Sequence, residues 1–258
     1  RRRQKKRTRK TSGNNQEILE MKNPYAVVKD FESALCEYTG ASYAVAVNSC
    51  TAALTLAVAW HFTEQQRKAD GEAIAAGHGM KMIALRPPID IPKRTYVSVP
   101  MAIIHAGGRP TFRDEDWLGA YQLKPLDVYD CARRFTQHMY CDPVGDWADV
   151  KGARVWMGNL GIMQCVSFHA SKILGDTQGG AILHDSAEAD AWLRRARFDG
   201  RTEGVPPKDD KFTQIGWHCY MSPDVAARLL LKLYSLPAHN DPLPNDPYPD
   251  LSTMEIFK

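Results

Sequence analysis

Apolar positions along the chain alternate between two spacings. Between Tyr25 and Tyr38 they fall at Val27, Val28, Phe31, Leu35 and Tyr38, the three-and-four step of a helix. Gly40 then supplies the glycine expected beyond a last turn. Tyr43-Ala-Val-Ala-Val47 reads as a short buried strand, Asn48-Ser-Cys50 as a polar turn, and Thr51 to Trp60 as an apolar helix. Residues 61–81 are polar and Gly/Ala-rich and are read as the rest of that helix and a loop. Strands are predicted at Met82–Leu85, Ile89–Ile91 and Pro110–Phe112, with a helix over Val97–Ala106 that stops at Gly107-Gly108. Leu126–Asp130 is a strand ending on a carboxylate, and Gln164–Phe168 and Gly180–Leu183 are two more strands around a polar loop. Asp185–Arg197 is an amphipathic helix. Ser222-Pro223, a capping serine with proline at the first helical position, opens a last helix to Tyr234. The Pro-rich segment that follows is predicted to hold no regular element. Strands alternating with helices imply an α/β domain with a mostly parallel sheet flanked by helices.

Composition is ordinary for a globular chain: 258 residues, 44% hydrophobic and 24% charged. Collagen-like, disordered and disulfide-scaffold classes are thereby excluded. Net charge is +3, yet eight of the first ten residues, RRRQKKRTRK, are basic. With that stretch set aside the body is mildly acidic, so the sequence does not suggest nucleic-acid binding by the fold itself. Residues 1–16 lack apolar periodicity and read as a solvated arm, with contact to nucleic acid or another polyanion through residues 1–10 as the alternative. No apolar run approaches the roughly 18–20 residues that cross a bilayer, and none follows the basic start as a signal peptide does. Six scattered cysteines without a C-x-x-C pair fit free thiols in a reducing cytoplasm. His138 and Cys141 have ligand-like spacing, but nothing nearby completes a metal set.

The chemistry gathers at strand ends, where parallel α/β sheets place their ligands. Asn48-Ser-Cys-Thr51 follows one strand and opens a helix, an arrangement suited to phosphate. Asp130 ends another strand. Ser167, His169 and Lys172 follow a third in SFHASK, with Gly175 and the pair Gly179-Gly180 beyond. Each feature alone is weak, since a loop lysine is usually solvated, a strand-end aspartate often only caps a turn, and Ser49 and Thr51 could be an ordinary helix cap. Together, a phosphate cradle, an acid and a lysine suggest pyridoxal phosphate, which needs a lysine to carry it and a carboxylate at its ring nitrogen.

On these stretches the sequence resembles the DegT/DnrJ/StrS group of fold-type I, nucleotide-sugar aminotransferases. The matching segments are FESALCEYTGASYAVAVNSCTAAL, IPKRTYVSVPMAIIHAGGRPTFRDED, VYDCA, CVSFHASKILGDTQGGAIL and RRARFDGR. They cover residues 24 to about 235, and S-F-H-A-x-K-x-L before the glycine pair is the most specific. The resemblance implies the three-layer fold-type I large domain over residues 21–235, with residues 1–20 as a basic arm. It makes Lys172 the Schiff-base lysine, Asp130 the acid at the pyridine nitrogen, and Ser167 a phosphate ligand. Ser49, Cys50 and Thr51 then match the phosphate turn, and Tyr96 the aromatic ring that stacks on the cofactor.

Departures accompany the match. Cys50 stands where the family has Gly, a poor occupant if the turn needs positive φ. Arg133 replaces a Gln or His on the cofactor's phenolic side, where a cation could meet the phenolate or point outward. Gln178 replaces an acid before the glycine pair. In Gly216-Trp-His-Cys-Tyr-Met-Ser222, His218 stands where an Asn reaches the partner subunit's phosphate. Relatives continue into a smaller domain that helps close the site; here that domain is expected to be absent, truncated or replaced by the Pro-rich segment 236–258.

The function implied is transfer of an amino group from an amino acid, by family habit glutamate, to a nucleotide-linked keto-sugar in a cytoplasmic homodimer. Two rival readings remain. One is a pyridoxal-phosphate enzyme acting on another small ketone or a modified nucleobase. The other is a degenerate homologue that binds a ligand without catalysis. A compact diverged copy with a basic arm suits a viral genome.

Overall fold

A computed structural model describes residues 23–75, 84–141, 147–150, 153–156 and 161–258. The basic arm, and Met82 and Ile83 of one predicted strand, lie outside the described residues; Ala84 and Leu85 are not in a strand.

The chain runs through α1 (Ala26–Thr39), β1 (Tyr43–Val47), α2 (Cys50–Ala75), β2 (Ile89–Pro92), α3 (Ser98–His105), β3 (Pro110–Arg113), β4 (Tyr121–Gln122) and β5 (Val128–Asp130). It continues through β6 (Trp147–Val150), β7 (Ala153–Trp156), β8 (Met163–Ser167), β9 (Gly180–His184), α4 (Ala187–Ala196) and α5 (Pro223–Tyr234). The central sheet has the order β1-β9-β8-β5-β4, and β2-β3 and β6-β7 form separate pairs.

The sheet is mixed, which corrects the expectation of a mostly parallel one. Within it β5 and β8 pair parallel, whereas β1-β9, β8-β9 and β4-β5 pair antiparallel; β2-β3 is the other parallel pair. The cause is the link from Ser167 to Gly180, which contains no crossover helix and so returns the chain antiparallel. Three layers remain, because strand residues alternate between two buried faces. Val45, Val47, Cys165 and Ile182 face a core with α2 and α3, while Ala44, Ala46, Val166 and Leu183 face one with α1 and α5. Burial on both sides explains why β1 and residues 180–183 of β9 read as unbroken apolar runs, and β8 as one broken only by Gln164 before Ser167.

Helix boundaries follow local chemistry. Gly40 takes φ 81°, and its N–H returns to Cys36 O at the end of α1. Ser186 caps α4 by accepting from Ala189 N. Ser222 occupies the cap position of α5, but its hydroxyl donates to Asp224 at 2.6 Å instead of capping the backbone. Helix α2 runs well past Trp60, since Thr63 donates to Ala59 O and Gln66 to Asp70 along its polar half.

Segment 236–258 corrects a second expectation. It holds two 3-10 turns, Leu251–Thr253 and Glu255–Phe257, and lies along the body. Thr136 and Gln137 both donate to Ala238 O, Leu251 is fully buried with its N–H on Lys93 O, and Phe257 packs on Phe112 at 5.9 Å. No described helix is long and apolar enough to cross a membrane.

Candidate active site

Ser49 caps α2 through a bond from Ala52 N to its Oγ, and Ser49 O accepts from Ala53 N. Among the described residues no acceptor faces the N–H groups of Cys50 and Thr51, so the positive end of a 26-residue helix is free to hold an anion. Cys50 is the first helical residue and is not among the positive-φ positions, which removes the objection to a side chain there. Burial pushes its thiol well above the usual range, so it is neutral. Gly180 is required beside this turn: a Cβ on it would lie 2.6 Å from Cys50 N and 2.8 Å from Ser49 O.

Asp130 ends β5 with its carboxylate buried. Oδ1 accepts from Ala132 N at 2.9 Å, and Oδ2 accepts from the Tyr121 hydroxyl at 2.8 Å, which in turn meets Thr95 Oγ1 at 2.6 Å. Burial dominates and raises the Asp130 pKa, with these hydrogen bonds and Lys172 opposing it. Among the described residues no cation forms an ion pair with it.

Lys172 sits on the β8-β9 loop, which buried side chains and ion pairs anchor to the body. Phe168 is fully buried and edge-on to Phe31 and Phe135, Leu174 is buried, and Asp176 is held by Arg228 and Lys232. Gly175 lets the turn close, since a Cβ would lie 2.7 Å from Ala170 O and 2.8 Å from Lys172 O. The Lys172 amine has no acid partner among the described residues. Burial, then the charge of Arg133, lowers its pKa.

These groups line one cavity of about 320 Å³, together with Ser49, Thr51, Tyr96 and Ser167. Ser167 ends β8 and is buried, its Oγ accepting from His169 N at 3.4 Å. Tyr96 is 59% exposed at the mouth, near Tyr248. Arg133 also lines the cavity, but its guanidinium is engaged by Asp246 at 2.7 Å, Tyr248 OH at 3.2 Å and Pro244 O. His218 lies elsewhere, exposed and paired with Asp199 at 2.9 Å. Sequence reasoning missed Tyr121, Thr95, Trp117, Asp246 and Tyr248; only Tyr121, in a two-residue strand beside the acid, lay within reach of a local pattern. Among the described residues no cluster of three or more His, Cys, Asp or Glu is arranged for a metal.

The donor set fits pyridoxal phosphate: a buried carboxylate lacking a cation, an amine lacking an acid, and a helix terminus lacking an anion face one cavity.

Comparison with known proteins agrees. The model of the DegT/DnrJ/EryC1/StrS aminotransferase family matches residues 16–136 and 141–241. GDP-perosamine synthase of Caulobacter vibrioides is 25% identical over 236 residues, 82% of this chain and 57% of that protein. Spore coat polysaccharide biosynthesis protein SpsC of Bacillus subtilis is 39% identical over 203 residues, 69% of this chain and 47% of that protein. The chain thus spans about half the length of these relatives. Among solved structures, AtS13 from Actinomadura melliaura superposes with TM-score 0.57 at 19% identity, over 81% of this chain and 59% of that one. The sugar aminotransferase CalS13 from Micromonospora echinospora gives 0.55 at 17% identity, over 81% and 60%. At such identities the structural likeness shows a shared fold.

Proposed function

The chain belongs to the DegT/DnrJ/EryC1/StrS aminotransferase family, and on that premise we propose that it uses pyridoxal phosphate to move an amino group from an amino acid, glutamate by preference, to a nucleotide-linked keto-sugar. The observation that carries the reading is the placement of Lys172 and Asp130, neither with a counter-ion among the described residues, in one cavity with the free N-terminus of α2. GDP-perosamine synthase, by its name a maker of an amino sugar on a nucleotide, supports the substrate class.

Pyridoxal phosphate supplies an aldehyde that captures amines and a protonated ring that accepts the electron pair left when a substrate C–H bond breaks. In the proposal the Cys50 and Thr51 N–H groups and the Ser49 and Ser167 hydroxyls hold the phosphate. Asp130 keeps the proton on the ring nitrogen, and in doing so gains the cation that its buried carboxylate lacks. The Tyr121 and Ala132 donors fix the carboxylate in that direction. Lys172, a neutral amine favoured by its lowered pKa, would hold the aldehyde and would be placed to move the substrate proton. Tyr96 restricts ring tilt. His218, exposed and outside this chain's cavity, is assigned to the site of a partner subunit in a homodimer.

The test is to load the purified protein with pyridoxal phosphate, reduce with borohydride and map the modified peptide. Attachment at Lys172 is expected. Attachment at another lysine, or no visible absorbance band, overturns the assignment. Loss of the band on adding glutamate, restored by a nucleotide-linked keto-sugar, establishes the two half-reactions.

A further inference from the structure

Arg133 is the departure that leads furthest. Its side chain is 8% exposed, yet its counter-ion Asp246 is 62% exposed and comes from a segment more than a hundred residues later. The grip is repeated along the backbone. Leu243 N–H donates to Arg133 O at 2.9 Å, Pro244 O accepts from the guanidinium, and Asn245 donates to Trp117 O. On one side Asn240 reaches Tyr38 OH at 2.9 Å. On the other, Asp250 pairs with Lys93 at 3.4 Å, and Leu251 is sealed in with its N–H on Lys93 O. Residues 236–258 therefore cross the loops that follow β2 and β5, the edge at which the cavity opens.

The cavity has a buried floor and an exposed rim. Asp130, Thr95 and Ser167 are buried, whereas Tyr96 and Asp246 face solvent. Tyr248 hangs between: its ring lies 6.3 Å from Trp117 at an interplanar angle of 12°, and 6.5 Å from Tyr96 at 63°. Its hydroxyl meets Asp246 and Arg133, each at 3.2 Å.

We propose that residues 236–258 form a strap that walls the mouth of the Lys172 cavity, with Arg133–Asp246 as its clasp and Tyr248 as the positioning residue that the entering substrate touches. The substrate contact rests on the function proposed above; the wall does not. Aromatic faces at the rim suit the C–H faces of a sugar or the plane of a base, and the Asp246 carboxylate suits hydroxyl donors. The clasp joins a buried cation to a partner whose loss leaves the cation unpaired, so removal of Asp246 loosens the strap.

The experiment measures labelling of individual lysines by trinitrobenzenesulfonate in the full chain without cofactor. In Tyr248→Ala and Asp246→Asn, Lys172 is expected to react about fivefold or more faster than in wild type, as local opening becomes easier, while the exposed Lys29 and Lys68 are unchanged. Tyr248→Phe keeps the wall and should label at the wild-type rate. Lys172 rates within twofold of wild type in both variants overturn the wall. Calorimetry with UDP-, GDP- and dTDP-hexoses tests the contact: Tyr248→Ala should weaken whichever sugar nucleotide binds wild type by about five- to tenfold. Unchanged or tighter binding overturns it, the latter marking a strap that occludes. If no sugar nucleotide binds wild type, the substrate class and the contact fall together, and the labelling decides the wall alone.

Discussion

Gly180→Ala probes the close approach on which the proposed phosphate site depends. At this position β9 begins directly beneath the turn that opens α2. The new Cβ would lie 2.6 Å from Cys50 N, 2.6 Å from Ser49 C and 2.8 Å from Ser49 O. Nonbonded heavy atoms settle at roughly 3.5–4.0 Å, so strand and helix terminus must part by about 1 Å. All three neighbours are backbone, so no side chain can swing aside. Overpacking of this kind costs about 1–3 kcal/mol. For a chain of this size that lowers Tm by about 2–4 °C per kcal/mol, or roughly 6–12 °C at the upper end of the range. The displaced atoms include the Cys50 N–H, one of the two free donors. Hydrogen bonds to charged groups contribute about 1.5–3 kcal/mol each, so cofactor affinity should fall at least about tenfold. Gly40→Ala is the control, since it puts a side chain at φ 81° with its Cβ 2.5 Å from Cys141 Sγ, away from the cavity. It should lower Tm and leave cofactor affinity within about twofold. Thermal melts paired with absorbance titrations of pyridoxal phosphate make the comparison. Equal affinity losses in the two variants, or an unshifted Tm in Gly180→Ala, would refute the reasoning.

Lys172→Ala should retain the fold, because its amine pairs with no acid among the described residues, and should lose both the visible band and the borohydride-fixed label; a persistent label would contradict the assignment. Asp130→Asn keeps the size and one acceptor oxygen, enough for Ala132 or Tyr121 but not both, and removes the charge, so cofactor should still bind while amine transfer from glutamate in a single turnover slows by about a hundredfold or more; a rate near wild type would reduce Asp130 to a turn cap. His184 is buried and stacked on Tyr43, with burial pushing its pKa down to about 4 from 6.5. The unfolded chain therefore binds a proton that the folded chain refuses between those values, and stability drops by about 3 kcal/mol as pH falls through that window. His184→Gln should flatten this part of the urea-unfolding profile, and an unaltered pH slope would show that other groups set it.

Much of the fold was legible because its elements are locally determined. Val28, Phe31 and Leu35 bury one face of α1, and β1 from Ala44 on, β8 and β9 are buried from both sides, so the apolar pattern finds them. The sheet's direction was less accessible. Alternating strands and helices favour a parallel sheet, but the segment between Ser167 and Gly180 shapes a lysine-bearing loop instead of a helix and turns β9 antiparallel. Strand β4 is two residues long, too short for any period, yet it carries the hydroxyl that orients Asp130. Helix α2 continues past its apolar half, as its polar sequence implies, and there its polar residues bond along the helix to one another and to its own carbonyls.

The candidate site divides the same way. Ser49, Cys50, Thr51, Asp130, Ser167 and Lys172 stand at the ends of short elements, where a few neighbouring residues decide what a side chain faces, and the structure brings them to one cavity. The unusual residues could be seen but not interpreted. Cys50 looked strained until its place inside the first turn of α2 removed the need for positive φ. Arg133 looked like a ligand for the cofactor or a surface cation, and its actual partner lies 113 residues away. No window on the sequence spans that distance, and a Pro-rich composition gives no periodicity with which to announce contact. The two departures are one electrostatic unit. A cation at 133 lowers the pKa of Lys172, whereas Asp246 both pairs with that cation and raises Lys172. Arg133 without Asp246 would be a buried charge beside the amine it disfavours when protonated, and Asp246 without Arg133 would leave the strap unclasped. The arginine and segment 236–258 are thus intelligible only together, which is why a residue at the cavity edge could not be assigned before its distant partner was located.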